Sequence, residues 1–227
     1  MSPYKRITRK EIKKDRLVTT TFQATEYIQK HKQPFIIGIA AIAAAVLLAY
    51  FFYGSKEGKK TDAVEQLGMG DLSLASGDYN TAIAEYEETV SKYGSTISGR
   101  KAYILLGKTY NNVGNYQKAK EIFQEYLNKF GDGKPALLHR SALVGLAVAL
   151  RNLDEKGEAA QNYEKAIKAD ASKEETAYLL FDAAKCYRES GNNEKALELY
   201  RRIKDEYQFT VYMSKAEREI SNILIQE

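Results

Sequence analysis

Few residues of this chain could do covalent or acid–base chemistry, and they are scattered. Cys186 is the single cysteine, and His31 and His139 are the two histidines. A zinc site gathers about four such ligands at close spacing, which two isolated histidines and one thiol do not supply. One cysteine also rules out an intramolecular disulfide. The adjacent carboxylates Glu87-Glu88 and Glu174-Glu175 lie in stretches of helical pattern. Sequence neighbours on a helix do not face one another, so these read as a solvated helix face rather than a catalytic pair. The loop Lys129-Phe-Gly-Asp-Gly-Lys-Pro135 contains Gly-x-Gly-Lys, but it lacks the spacing and the following Ser or Thr of a phosphate-binding loop. Cys186 reads as core packing rather than as a nucleophile. No catalytic constellation emerges. The expectation is a protein that is not an enzyme and that uses no cofactor or metal.

What positions these residues is an internal repeat. Gly77-Asp-Tyr79-Asn-Thr-Ala82-Ile-Ala-Glu-Tyr86 matches Gly114-Asn-Tyr116-Gln-Lys-Ala119-Lys-Glu-Ile-Phe123. The frame returns as Asp154-Glu-Lys156-Gly-Glu-Ala159-Ala-Gln-Asn-Tyr163 and as Gly191-Asn-Asn193-Glu-Lys-Ala196-Leu-Glu-Leu-Tyr200. Self-similarity at such a period marks stacked supersecondary units that bury their apolar faces only against neighbours. Glycines 77, 114 and 191 suit a left-handed turn between two helices. Asp154 takes that place in the third unit, because Asp visits this region more easily than most residues. Beyond the last unit, Ser214 to Gln226 places Ala216, Ile220, Ile223 and Leu224 on one face, as a capping helix would.

These units resemble tetratricopeptide repeats. The family's small eighth residue corresponds to Gly70, Gly107, Ala147 and Ala184. Its large eleventh residue corresponds to Tyr110, Leu150 and Tyr187, with Ser73 departing from the pattern in the first repeat. The resemblance implies an all-α solenoid of about four helical hairpins plus a C-terminal capping helix. It also implies protein or peptide partners on the concave face built from the first helix of each hairpin. The positions it assigns to that face are Val64, Leu67, Asp71 and Leu74, then Lys101, Ile104, Lys108, Asn111 and Asn112. Repeat three adds Val144, Val148, Arg151 and Asn152, and repeat four adds Tyr178, Phe181, Lys185 and Arg188. Tyr178 and Phe181 are expected as an exposed aromatic anchor, with Arg151 and Lys108 holding polar or acidic groups. Some relatives grip a terminal carboxylate with Lys and Asn in the first repeat. Leu67 and Asp71 stand there in this chain, so a clamp of that type is not expected.

Ahead of the repeats lies Phe35–Tyr53, nineteen residues without a charge. As a helix it would reach about 28 Å, close to the roughly 30 Å hydrocarbon core of a bilayer. The arm 1–33 carries nine basic residues against three acidic, and only Lys56, Lys59 and Lys60 follow closely behind the run. Basic flanks stay on the synthesis side. The expectation is a single span over 34–53, a cytoplasmic arm, a polar linker over 54–62 and a repeat domain over 63–227 in the bacterial periplasm. The exit Tyr50-Phe-Phe-Tyr53-Gly-Ser55 lacks a small-x-small cleavage pattern, which favours an uncleaved signal anchor. Ala41, Ala45 and Ala49 form a small-xxx-small row suited to another membrane helix. Thr8-Arg9-Lys10-Glu11 has a capping-box pattern, and the arm's charge suits anionic lipid.

The net charge of +4 conceals that the arm is strongly basic and residues 63–227 weakly acidic. Nucleic acid is therefore not an expected partner of the repeats. The order of arm, span and repeats resembles the YfgM-type ancillary subunits of the SecYEG translocon. That family implies a link between the translocon and periplasmic chaperones or exported clients. The alternative is a cell-envelope scaffold serving peptidoglycan or outer-membrane assembly.

Overall fold

The computed structural model describes residues 21, 25–27, 29–30, 32–131, 135–167 and 171–226. Of the expectations above, those on Thr8–Glu11, on the rest of the arm through residue 20, on His31 and on the Gly133-Lys134 loop lie outside this set. The helices are α1 (Lys32–Ala75), α2 (Tyr79–Tyr93), α3 (Ile97–Asn112), α4 (Tyr116–Lys129) and α5 (Ala136–Asn152). After them come α6 (Lys156–Ala166), α7 (Lys173–Glu189), α8 (Asn193–Glu206) and α9 (Val211–Gln226). No strand occurs among the described residues.

The chain divides into two units, residues 1–57 and 58–227. In the first, α1 exposes Ile36, Ile37, Ile39, Ile42, Val46 and Leu47. Ala41 and Ala45 are exposed as well, while the side chain of Ala49 lies outside the described set. No helix among the described residues is long and apolar enough to cross a membrane. Residues 54–62, expected as a linker, are helical within α1. Lys and Glu are good helix formers, and two isolated glycines cost only about 1 kcal/mol each.

In the second unit each hairpin pairs a first helix with a second: the end of α1 with α2, α3 with α4, α5 with α6, and α7 with α8. Side-chain caps start most of the helices. Asp78 accepts from the Thr81 amide at 3.1 Å, Thr96 from Gly99 at 3.0 Å, and Asn192 from Lys195 at 3.1 Å. Each satisfies a backbone donor that the helix itself cannot. At the hairpin bends Gly77, Gly114 and Gly191 have φ of 81°, 77° and 83°, and Asp154 has φ 67° in the third repeat.

The core is a ladder of aromatic residues against small ones. Tyr86, Phe123, Tyr163 and Tyr200 are all fully buried, as are Ala82, Ala119, Ala159 and Ala196. A Cβ added at Gly70 would sit 2.5 Å from Cε1 of Tyr86, and one at Gly107 2.6 Å from Cζ of Phe123. The eighth position is small because the ring occupies the space a side chain would need. Buried apolar area at this density supplies most of the stability of such a stack. The capping helix starts at Val211 rather than at Ser214. Ala216 and Ile223 are buried and Ile220 packs against the core, but Leu224 is half exposed. Tyr212, which the periodic pattern did not single out, faces inward instead.

Candidate functional site

Helix α3 packs on α5, and α7 on the capping helix α9. The ion pairs Arg140–Glu175 and Arg151–Glu189 join α5 to α7, so the first helices of repeats two to four lie in one layer. At the junction of repeats two and three, Asn111 Nδ2 donates to the Gly145 carbonyl at 3.0 Å. On this layer Lys108, Asn112 and Asn152 are exposed, and Val144, Val148 and Arg151 are half-buried. Lys101 and Val64 are exposed too.

Several positions expected on the face are structural instead. Ile104 is only 4% exposed and Leu67 8%, so both belong to the core. A position carried over from the family's repeat lies within one residue step, about 100°, of the buried stripe, and these two side chains fall on that stripe. Asp71 accepts from the Tyr86 hydroxyl at 2.7 Å. The same bond and burial push the Tyr86 phenol well above its usual range, burial being the larger cause. Asp71 is thus occupied in holding the first hairpin together.

Tyr178 and Phe181 are not a free aromatic pair. Both are half-buried under Tyr212 of α9, with ring centroids 5.9 and 5.6 Å away, and Phe181 also meets Tyr200 at 5.5 Å. The capping helix covers what an incomplete stack would leave open. Burial raises the Tyr178 phenol to about 12 and pushes the Asp182 carboxyl up as well. The hydrogen bond from Tyr178 and the charge of Arg151 partly offset the effect on Asp182.

The cations of repeats three and four are largely occupied. Arg151 Nη2 lies 3.4 Å from Glu189 Oε1, and Lys185 Nζ lies 4.0 Å from the same oxygen. Arg188 pairs with Glu219 of the capping helix, and Arg140 with Glu175 at 3.2 Å. The adjacent carboxylates are therefore more than a solvated face. Glu87 accepts from the Tyr110 hydroxyl at 2.6 Å, and Glu175 holds Arg140. Tyr187 makes the equivalent bond to Glu164.

Cys186 is fully buried, and burial raises its thiol to about 11. A thiol so disposed is protonated at neutral pH and is a poor nucleophile. Among the described residues no cluster of His, Cys, Asp and Glu could hold a metal ion.

The model of the tetratricopeptide repeat matches this chain over residues 67–135, 104–174 and 144–209. No curated protein matches it. Among solved structures, MamA protein is similar at 22% identity and a TM-score of 0.56, over 71% of this chain and 80% of MamA. A tetratricopeptide repeat protein from Parabacteroides merdae ATCC 43184 is similar at 15% identity and a TM-score of 0.61. The match covers 73% of this chain and 61% of that one. YrrB, described as a TPR protein with an unusual peptide-binding site, is similar at 18% identity and a TM-score of 0.54, over 86% of this chain and 97% of YrrB. At these identities the likeness speaks for the fold alone. The matched repeats, the small-against-aromatic ladder and the left-handed bends place this chain in the tetratricopeptide repeat family, as an all-α module for protein–protein interaction.

Proposed function

We propose that the repeats receive a peptide or protein segment on the layer formed by α3, α5 and α7, and that residues 35–53 hold them at a bacterial inner membrane. The carrying observation is the open surface at repeats two and three, where Lys108 and Asn112 are exposed on α3 and Val144 and Val148 half-buried on α5, the two helices being joined by the bond from Asn111 to Gly145. Apolar surface beside an exposed amide and a cation suits an extended or helical peptide. YrrB's described peptide-binding site lends support by analogy of fold. The exposed apolar side chains from Ile36 to Leu48, and the basic arm before them, support a membrane anchor with residues 63–227 in the periplasm. The order of arm, span and repeats supports a role beside SecYEG, joining the translocon to periplasmic chaperones or exported clients.

A photo-crosslinking residue at Asn112 in intact cells tests the partner face, with the same residue at Arg201, on a second helix, as control. Adducts from position 112 that include SecY or a periplasmic chaperone are expected. Adducts with peptidoglycan or outer-membrane assembly proteins would favour the envelope-scaffold reading, and equal yields from both positions would overturn the face. Protease added to spheroplasts should digest the repeats and spare the arm. Protection of the repeats would overturn the topology.

A further inference from the structure

Charge is divided unevenly over the layer of first helices. Helices α3 and α5 contain Arg100, Lys101, Lys108, Arg140 and Arg151 but no Asp or Glu. The neighbouring first helices mix both signs: α1 brings Asp62, Glu65 and Asp71 with Lys59 and Lys60, and α7 brings Glu174, Glu175, Asp182 and Glu189 with Lys173, Lys185 and Arg188. Arg140 and Arg151 are held by α7 carboxylates, and the guanidinium of Arg100 lies 4.3 Å over the Phe130 ring. Lys101 and Lys108 remain exposed, and neither forms an ion pair among the described residues. They stand seven residues apart, about 10 Å along one side of α3. The bond from Asn111 to Gly145 fixes α5 beside that side of α3, with Val144 and Val148 one turn or less from Gly145.

We propose that this carboxylate-free middle of the layer takes an acidic peptide segment. Its carboxylates lie on Lys101 and Lys108, and an apolar side chain lies on Val144 and Val148. The proposal rests on the partner face argued above and adds the chemistry of its ligand. Charge complementarity argues for this occupant: Lys101 and Lys108 stand on α3, which like α5 is without a carboxylate, whereas on α7 Lys185 shares Glu189 and Arg188 is held by Glu219, so repeats two and three are the favourable place for an incoming carboxylate. A basic segment would meet two unpaired ammonium groups there and be repelled.

The test uses the full chain in zwitterionic lipid nanodiscs at about 50 mM salt, where screening is weak. The probe is a fluorescein-labelled peptide of repeated Glu-Glu-Leu, compared with its Gln-Gln-Leu analogue. The acidic peptide is expected to bind about tenfold tighter, and the preference should vanish in Lys101→Glu/Lys108→Glu. It should persist in Lys165→Glu/Arg201→Glu, which makes the same charge change on second helices. Lys101→Gln/Lys108→Gln, with circular dichroism, provides the same comparison should the reversed charges unfold the chain. Equal affinity for the two peptides, with both crosslinking at position 112, would overturn the acidic preference and leave the partner face standing. Binding of neither peptide at position 112 would overturn both.

Discussion

Gly145 of α5 lies against the ring of Phe123 in α4, so close that an added Cβ would fall well inside van der Waals contact with Cζ, Cε1 and Cε2. The same ring already fills the space over Gly107 of its own hairpin. Phe123 is thus a wedge shared by repeats two and three. Gly145→Ala should destabilise the repeats by about 1–3 kcal/mol through overpacking. Phe123→Leu added to that variant should return part of the loss. Urea unfolding checks this, and a Gly145→Ala midpoint equal to that of the parent would show that the ring yields freely.

The register of the helices predicts unequal effects at two neighbouring positions. Ala119 is fully buried, whereas Lys118 is exposed and 3.5 Å from Glu121. Ala119→Leu should cost about 1–3 kcal/mol, and Lys118→Leu only a few tenths, since exposed pairs contribute little. Thermal melts of the two variants are the measurement, and equal melting temperatures would contradict the packing.

Asp154 occupies a left-handed bend that glycine occupies in the other three repeats. Its carboxylate is 2.6 Å from Lys156 Nζ, but the side chain is 83% exposed. The conformation costs a non-glycine residue about 1–2 kcal/mol, more than an exposed pair returns. Asp154→Gly should therefore raise the urea midpoint. A lower midpoint would show that the pair with Lys156 outweighs the bend.

Burial raises the Cys186 thiol to about 11 and the Tyr110 and Tyr187 phenols to about 12. The unfolded chain releases these protons at lower pH than the folded one, so the folded state binds more protons in between. Stability is then fully present below about pH 8.5 and falls as pH rises towards 12. Denaturation midpoints at pH 8 and at pH 10.5 should show the loss. Tyr110→Phe should make the curve flatter, because it removes one titrating group while Leu150 shows that an apolar residue fits that register.

The repeat was legible in the sequence because stacking imposes a local rule on residue size. Ala82, Ala119, Ala159 and Ala196 have no alternative beside buried rings, and a bend with positive φ admits glycine or, at a cost, Asp154. Such constraints act within one hairpin, and they are written at fixed offsets. The sequence also determined the charge-free stretch 35–53 and its basic flank, which are properties of composition alone.

Contacts between units carry no such signature. That Tyr212 covers Tyr178 and Phe181 depended on where the last helix came to lie, since a helix has several apolar residues and only packing decides which one turns inward. Ile104 and Leu67 fell inside for the same reason: the inner and outer edges of an amphipathic helix differ by one residue step of about 100°. The pairings of Arg151 with Glu189 and of Arg188 with Glu219 join residues 38 and 31 positions apart in sequence, respectively. Only the tertiary structure decided which cations those carboxylates would take, and so which two lysines were left facing solvent.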